Sequence, residues 1–372
     1  MNAHLKPGCI EACPACPHRN LTMENSLKRK KQWLEKTLGK FEKLLEPIRS
    51  LADEKRWNYR KKVCLAAEFN GQAWNIGIRR RDFVIPIDHC PVQHDEINSN
   101  VRLLSSVIPH FEKFPLAYFM QSGSQLVLVV KSRDLPGLDW FAQEIKNELR
   151  KNGVEGFWIH SHPSAGKKIL GKGGWHLIFG NPRSETENGL VYGPQSFQQV
   201  LPELYNDSLE EAKFFLAPGH NKAVVDLYCG IGASLRQWIA AGATSIGVEI
   251  GGEAIDCAAI NAPHALLLRG TCTQRIPQIN KFADEQGLTT DKMLLYANPP
   301  RTGLEREIII WITQKLRPHK IAYLSCSAGT LFRNLKFLDE NGFKTIRLIP
   351  YDFFPQTLHV EVLALIENFP GT

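Results

Sequence analysis

Val224-Val-Asp-Leu-Tyr-Cys-Gly-Ile-Gly-Ala-Ser234 is the stretch of this 372-residue chain whose reading decides the fold. Two β-branched residues lead into Asp226, and a Gly-x-Gly turn follows. Leu235-Arg-Gln-Trp-Ile-Ala-Ala then reads as a helix stopped by Gly242, and Ser245-Ile-Gly-Val-Glu249 as a second buried strand ending in an acid. Strand, glycine turn, helix, strand, acid is the opening of a doubly wound α/β domain. Gly230 and Gly232 let backbone approach a ligand, and Glu249 at a strand end is placed to hold a ribose diol. Dinucleotide sites carry a third glycine for close helix–strand packing. Leu235 holds that place here, which favours S-adenosylmethionine, a ligand with no pyrophosphate, over NAD. Taken alone, such a turn is equally a plain structural connection.

The alternation continues to the C-terminus. A helical region runs from Ser196 to about Leu216, and helices are expected over 251–261, 308–316 and 329–341. Strands are expected over 266–268, 293–297, 320–326, 345–350 and 359–366. Such alternation means a largely parallel sheet with its site at the strand carboxyl ends. The expected class is therefore α/β, a Rossmann-like domain over 191–372. Upstream come a cysteine segment over 1–23, a basic amphipathic helix over 24–47 and a mixed α+β domain over 48–190.

The net charge is +7, and basic clusters stand at Lys28–Lys31, Arg60–Lys62 and Arg79–Arg81. They suit a polyanion such as RNA, although each is also an ordinary solvated face. No apolar run approaches the ~20 residues of a membrane span. The N-terminus lacks an apolar signal core, so a cytoplasmic location is expected.

Nine cysteines, an odd number, argue against a disulfide framework and for metal or catalytic use. Cys9, Cys13 and Cys16 lie within eight residues, close enough to converge on one metal centre. Zinc and an iron–sulfur cube each want four ligands. Cys90, before a proline, is the expected fourth, with His18 and His89 as substitutes for zinc.

Leu27, Leu34, Leu38, Phe41 and Leu45 mark one face of a helix over 24–45, capped by Asn25 or Ser26, basic on its other face and ended by Pro47. Short strands follow over 63–67, 74–78 and 83–87, and Asn70-Gly71 signals a two-residue hairpin between the first two. Cys64 reads as a core thiol. Further on, 126–130, 157–160 and 175–179 read as strands, 138–149 as a helix and 161–174 as a Gly/Lys-rich loop.

Three strand ends set chemical groups along one edge: Asn298-Pro-Pro, Cys326 and Glu361. Asn-Pro-Pro is a stiff turn that holds an amide against the edge of a planar base. Amino-group methylases place an aromatic residue after the two prolines; Arg301 here argues against that chemistry. A pyrimidine C5 is a poor nucleophile. A thiolate added to C6 makes C5 an enolate carbon, and a base then removes the C5 proton so that the thiol can leave. Cys326 supplies the thiol and Glu361 the base. A helix starting near Gly329 is expected to lower the Cys326 pKa. By itself Cys326 also reads as a small buried apolar residue.

With these residues quoted, the chain resembles the bacterial RNA uracil-C5 methyltransferases acting on 23S ribosomal RNA and tRNA. Asp226-Leu-Tyr-Cys-Gly-x-Gly is similar to that family's methyl-donor turn, Asn298-Pro-Pro-Arg-x-Gly-Leu to its D/N-P-P-R-x-G motif, Ser325-Cys326-Ser-Ala-Gly-Thr-Leu to its nucleophile motif, and Phe353-Phe-Pro-Gln-Thr-Leu-His-Val-Glu361 to its closing motif. The resemblance implies Cys326 as nucleophile and Glu361 as base. It implies Gln199, Tyr228, Glu249 and Asn298 as S-adenosylmethionine contacts. Cys9, Cys13, Cys16 and Cys90 match the family's iron–sulfur branch and imply a [4Fe–4S] cluster. Asn298 points to the short branch acting on 23S ribosomal RNA, without the N-terminal β-barrel of other members. The chain departs from the family at Ser327-Ala328, where Asn-Pro is usual, at Leu201, where Asn is usual, and in its tighter cysteine spacing. Competing functions are a tRNA uridine or RNA cytosine C5 methyltransferase, or a non-catalytic iron–sulfur RNA-binding protein.

Overall fold

The structure, a computed structural model, describes residues 5–166 and 168–369. It clusters into two units. One comprises Met1–Thr22, Ala52–Thr186 and Tyr192–Val200; the other comprises Met23–Leu51, Glu187–Val191 and Leu201–Thr372. The first therefore includes Tyr192–Val200, which the sequence reading gave to the methyltransferase domain. The second takes in the N-terminal helix.

The first unit is built on a seven-stranded sheet: β1 (Lys62–Phe69), β2 (Trp74–Arg80), β3 (Phe83–Pro86), β4 (Leu116–Ser122), β5 (Gln125–Val130), β6 (Gly156–Ser161) and β7 (Trp175–Gly180). The order is β3-β2-β1-β4-β5-β6-β7. Its pairs are antiparallel except β5 with β6. That parallel pair needs a crossover, which the helix Gln143–Lys151 provides. This helix starts five residues later than the pattern suggested. A helix that the sequence reading passed over, Asp95–Val107, buries Ile97, Val101 and Leu104 against the sheet.

Asn70-Gly71 does turn the chain, but the partners Phe69 and Trp74 leave a four-residue loop. Asn70 Oδ1 accepts from the backbone of Gln72 and Ala73 and closes a wider turn. The two-residue connection falls instead at Arg81-Asp82, between the partners Arg80 and Phe83. Cys64 lies on β1, but on the face opposite Val63 and Leu65, so it is exposed rather than part of the core.

The second unit holds the other seven-stranded sheet: β8 (Ala223–Leu227), β9 (Thr244–Glu249), β10 (Leu266–Arg269), β11 (Met293–Ala297), β12 (Lys320–Ser325), β13 (Phe343–Tyr351) and β14 (Glu361–Asn368). The order is β10-β9-β8-β11-β12-β14-β13, and β8 to β12 run parallel. The strand order reverses between β8 and β11, the position where open α/β sheets bind ligands beyond their carboxyl ends. The last strand is antiparallel to both neighbours. The helix before this sheet, Pro202–Leu216, begins six residues after Ser196 because Pro202 fits its first turn. The helix Cys272–Glu285 between β10 and β11 carries a Thr271/Gln274 capping box that the sequence reading passed over.

The N-terminal helix runs Met23–Leu38 and continues as a 3-10 turn over Gly39–Leu44, where Gly39 adopts φ +51°. Asn25 and Ser26 therefore lie inside the helix rather than at its cap. Ser26 Oγ donates to the Pro355 carbonyl at 3.3 Å. Its buried face is Ser26, Lys30, Leu34 and Leu38, so one residue of the supposedly solvated basic face is buried. Lys30 Nζ forms an ion pair with Asp352, both side chains fully buried, and donates to the Phe354 carbonyl at 3.0 Å. Among the described residues no helix is long and apolar enough to cross a membrane.

Removing one partner of a buried ion pair leaves an uncompensated charge. Lys30→Met is therefore expected to destabilise the protein by about 3–5 kcal/mol, and Lys30→Met/Asp352→Leu to recover most of that loss. Urea denaturation of the three proteins gives the comparison.

Candidate active site

The carboxyl edge of the second sheet begins with the turn after β8. Tyr228, Gly230 and Gly232 all adopt positive φ, +62°, +55° and +84°. Asp226 is fully buried beneath this turn. Trp238 Nε1 donates to its Oδ2 at 2.8 Å, and burial pushes its pKa up to about 7. The sequence reading gave no role to Trp238, which anchors the strand that presents the turn. At β9, Glu249 accepts from Gly230 N–H at 3.1 Å and Gly251 N–H at 2.6 Å, one bond on each carboxylate oxygen. The acid at the strand end thus braces the glycine turn.

The spacing role of a third motif glycine is met from the other side. A methyl group on Gly247 of β9 would stand 2.6 Å from Leu235 Cδ1 and 2.9 Å from Cys229 Sγ. Leu235 is large because the residue facing it on the strand is glycine. β11 adds Asn298, whose N–H donates to the Leu227 carbonyl at 3.3 Å across the switch point.

β12 ends at Ser325, and Ser325 pairs with Val362 of β14. Because β14 is antiparallel, its first residue, Glu361, lies beside the end of β12 and hence beside Cys326. Glu361 is buried and Cys326 half-buried. Burial and then the Glu361 charge raise the Cys326 pKa above the ordinary thiol value, while Arg301 opposes them. The expected depression by the following helix is outweighed: desolvation disfavours the thiolate more than the helix terminus favours it. Arg301 comes from the Asn-Pro-Pro turn. Its carbonyl accepts from Thr330 Oγ1 at 3.1 Å, and Ser327 Oγ donates to Thr330 Oγ1 at 3.1 Å. Ser327, unusual for the resembled family, thereby joins the loop after β12 to that turn. Arg301 Nη2 also lies 3.1 Å from His359 Nε2.

Tyr228, Glu249, Asn298, Cys326 and Glu361 are thus gathered along one sheet edge. Gln199 belongs to the irregular segment Tyr192–Val200 of the first unit.

The cysteine group forms in the first unit. Cys9, Cys13, Cys16 and Cys90 line one cavity of about 90 Å³. Gly8 makes this possible, since a methyl group there would stand 2.0 Å from the His89 carbonyl oxygen. Arg19 fastens the loop by donating to the carbonyls of Cys13 and Glu11, both at 2.6 Å. Burial pushes the Cys16 pKa up to about 11, with the charges of Cys90, Cys13 and Cys9 adding to it. Among the described residues, however, no group of three or more His, Cys, Asp or Glu is arranged to hold a metal ion.

Residues 195–368 match the model of the tRNA (uracil-5-)-methyltransferase family. An uncharacterized RNA methyltransferase of Nostoc sp. is 28% identical, covering 97% of this chain and 83% of that protein. One of Clostridium tetani is also 28% identical, covering 98% and 83%. The crystal structure of Pyrococcus abyssi tRNA (uracil-54, C5)-methyltransferase in complex with S-adenosyl-L-homocysteine has a TM-score of 0.74 at 19% identity, covering 97% of this chain and 86% of that one. Its likeness to this chain is one of fold. The two curated relatives are RNA methyltransferases, and the fold is the one shared with the Pyrococcus abyssi structure. More narrowly, residues 195–368 are similar to the RNA uracil-C5 methyltransferases.

If the Glu361 carboxylate holds the thiol pKa up, Glu361→Gln lowers the pH at which Cys326 alkylates, and Arg301→Ala raises it. Iodoacetamide labelling across pH, followed on the Cys326 peptide by mass spectrometry, reads both shifts.

Proposed function

We propose that this protein methylates C5 of a uridine in RNA through a covalent adduct at Cys326. The observation that carries the reading is the apposition of Cys326 and Glu361 imposed by the Ser325–Val362 pairing. The Cys326 thiolate adds to C6 of the uracil, and the electron pair moves to C5. S-adenosylmethionine supplies the methyl group that C5 takes up. Glu361 removes the proton from C5, the C5–C6 double bond reforms, and the thiolate leaves. Arg301 supports the thiolate form against burial and against the neighbouring carboxylate. Tyr228, Glu249 and Asn298 line the donor side of the edge, and Gln199 is assigned to the donor by the family resemblance. Because the thiol pKa is raised, the rate of adduct formation is expected to climb with pH through neutrality.

23S ribosomal RNA is the substrate we favour, on Asn298 in the Asn-Pro-Pro turn and the four-cysteine set; the work would then be done in the cytoplasm. A tRNA uridine is the second reading, favoured by the fold shared with the Pyrococcus abyssi enzyme. We also assign the four cysteines to a [4Fe–4S] cluster. Zinc draws all its ligands to one point, with Zn–S about 2.3 Å. Each cysteine of a cube binds its own iron, so the thiols surround a volume. Cys9, Cys13, Cys16 and Cys90 line one cavity together with Cys64, which supports the second case. Bound there, the cluster would tie the N-terminal loop to Cys90.

Labelled methyl donor and unmethylated 23S ribosomal RNA, with nucleoside analysis of the product, test the reaction and its substrate. Labelled 5-methyluridine in ribosomal RNA supports the full reading. Label confined to tRNA moves the substrate, and its absence from both rejects the assignment. Cys326→Ala is expected to abolish turnover, and Glu361→Gln to accumulate an RNA adduct that survives denaturing electrophoresis. Anaerobically purified protein is expected to carry iron and acid-labile sulfide, both lost in Cys90→Ser.

A further inference from the structure

Leu358 is 58% exposed in a loop where, apart from the exposed His359 and the half-buried Phe354, the side chains turn inward: Phe353 and Gln356 are fully buried, and Thr357 and Val360 are 5% and 1% exposed. The loop is held from both sides. Lys30 pairs with Asp352 and donates to the Phe354 carbonyl, and Ser26 donates to the Pro355 carbonyl. Within the loop, Thr357 N–H donates to the Phe354 carbonyl at 3.0 Å, and His359 N–H donates to Thr357 Oγ1 at 3.1 Å. This turn presents Leu358 outward on a fixed base. A single exposed leucine is ordinary on a protein surface. What sets this one apart is its place, three residues before Glu361 and next to His359, whose ring meets the exposed Arg301 guanidinium.

A uridine within a folded RNA keeps C5 and C6 inside the base stack. An enzyme that forms a bond at C6 must take the base out, and the emptied position is costly to leave open. Nucleic-acid-binding proteins that unstack bases insert Leu, Ile, Met, Phe or Pro between the steps. We propose that Leu358 is such a wedge: it fills the stack beside the extruded uridine, while Arg301 sets positive charge toward the RNA. The inference rests on the reading of Cys326 and Glu361 as the methylation site, and it goes further by assigning this enzyme a structured, base-paired or stacked RNA target. The anchored loop suits the task, because a wedge on a yielding loop would fold back rather than part the bases.

The test uses the full-length protein and two RNAs with one local sequence around the target uridine, one a closed hairpin that stacks the uridine and the other an open strand. Leu358→Ala is expected to lower kcat/KM on the hairpin by about tenfold more than on the open strand, with Leu358→Met restoring most of the loss. A 2-aminopurine beside the target is expected to brighten when wild-type protein binds the hairpin and to stay quenched with Leu358→Ala. Equal losses on the two RNAs, or equal brightening with both proteins, would overturn the wedge. Should wild type form no 5-methyluridine in either RNA, the methylation reading is what fails. The fluorescence comparison then decides the wedge on its own: brightening confined to wild type supports it, and none, or equal brightening, rejects it.

Discussion

The antiparallel run of the last strand is the constraint on which the candidate site of this protein depends. A sheet of parallel strands puts every carboxyl end on one edge and every amino end on the other. Such a sheet can collect strand-end residues, but it cannot set the start of a later strand beside them. β14 runs against β12, so Val362 pairs with Ser325 and the strand's first residue joins the functional edge. The Cys326 thiol and the Glu361 carboxylate are thereby held together by backbone pairing. Their closeness has an electrostatic consequence, since the carboxylate disfavours the thiolate beside it. Arg301, delivered by the stiff Asn-Pro-Pro turn and fastened through Thr330, offsets part of that effect.

Much of the second unit was legible because its signals are local. A strand, a turn with left-handed positions, a helix and an acid occur within about 25 residues, and each is decided by its immediate neighbours. The brace that Glu249 gives to the glycine turn was not legible as such. The spacing hinted only at an acid near a ligand, and the bonds to two backbone N–H groups emerge once the turn closes. Leu235 in place of a glycine pointed away from a pyrophosphate ligand. What the pattern could not show is that Gly247, on another strand, supplies the missing space.

The less legible features are those made over long separations. Lys30 stands in a basic run that suits a polyanion or, alternatively, a solvated face, and both readings leave it exposed. Its clue was register: it falls three residues after Leu27 and four before Leu34, on the apolar stripe. A lysine there needs a buried anion, and Asp352 lies 322 residues further on. Cys64 failed in the opposite sense. Its strand is real, but alternation on β1 turns it away from Val63 and Leu65. The Cys326 thiol was expected to gain from the helix after it, yet local sequence carries no measure of burial, and burial dominates.

The second unit is discontinuous: its first helix precedes the whole of the first unit's main segment, and its last strand, Glu361–Asn368, lies far beyond that segment. During synthesis, Met23–Leu38 emerges early with a lysine on its apolar face and no counter-ion yet made. Ala52–Thr186 can form its own sheet while the rest is still being translated. The helix must wait for Asp352, and the functional edge waits longer still, for Glu361. Domains completed late in synthesis leave apolar surface exposed in the interval. For this protein the vulnerable interval spans the 322 residues from Lys30 to Asp352, and it ends only when the strand that begins at Glu361 adds itself to the sheet.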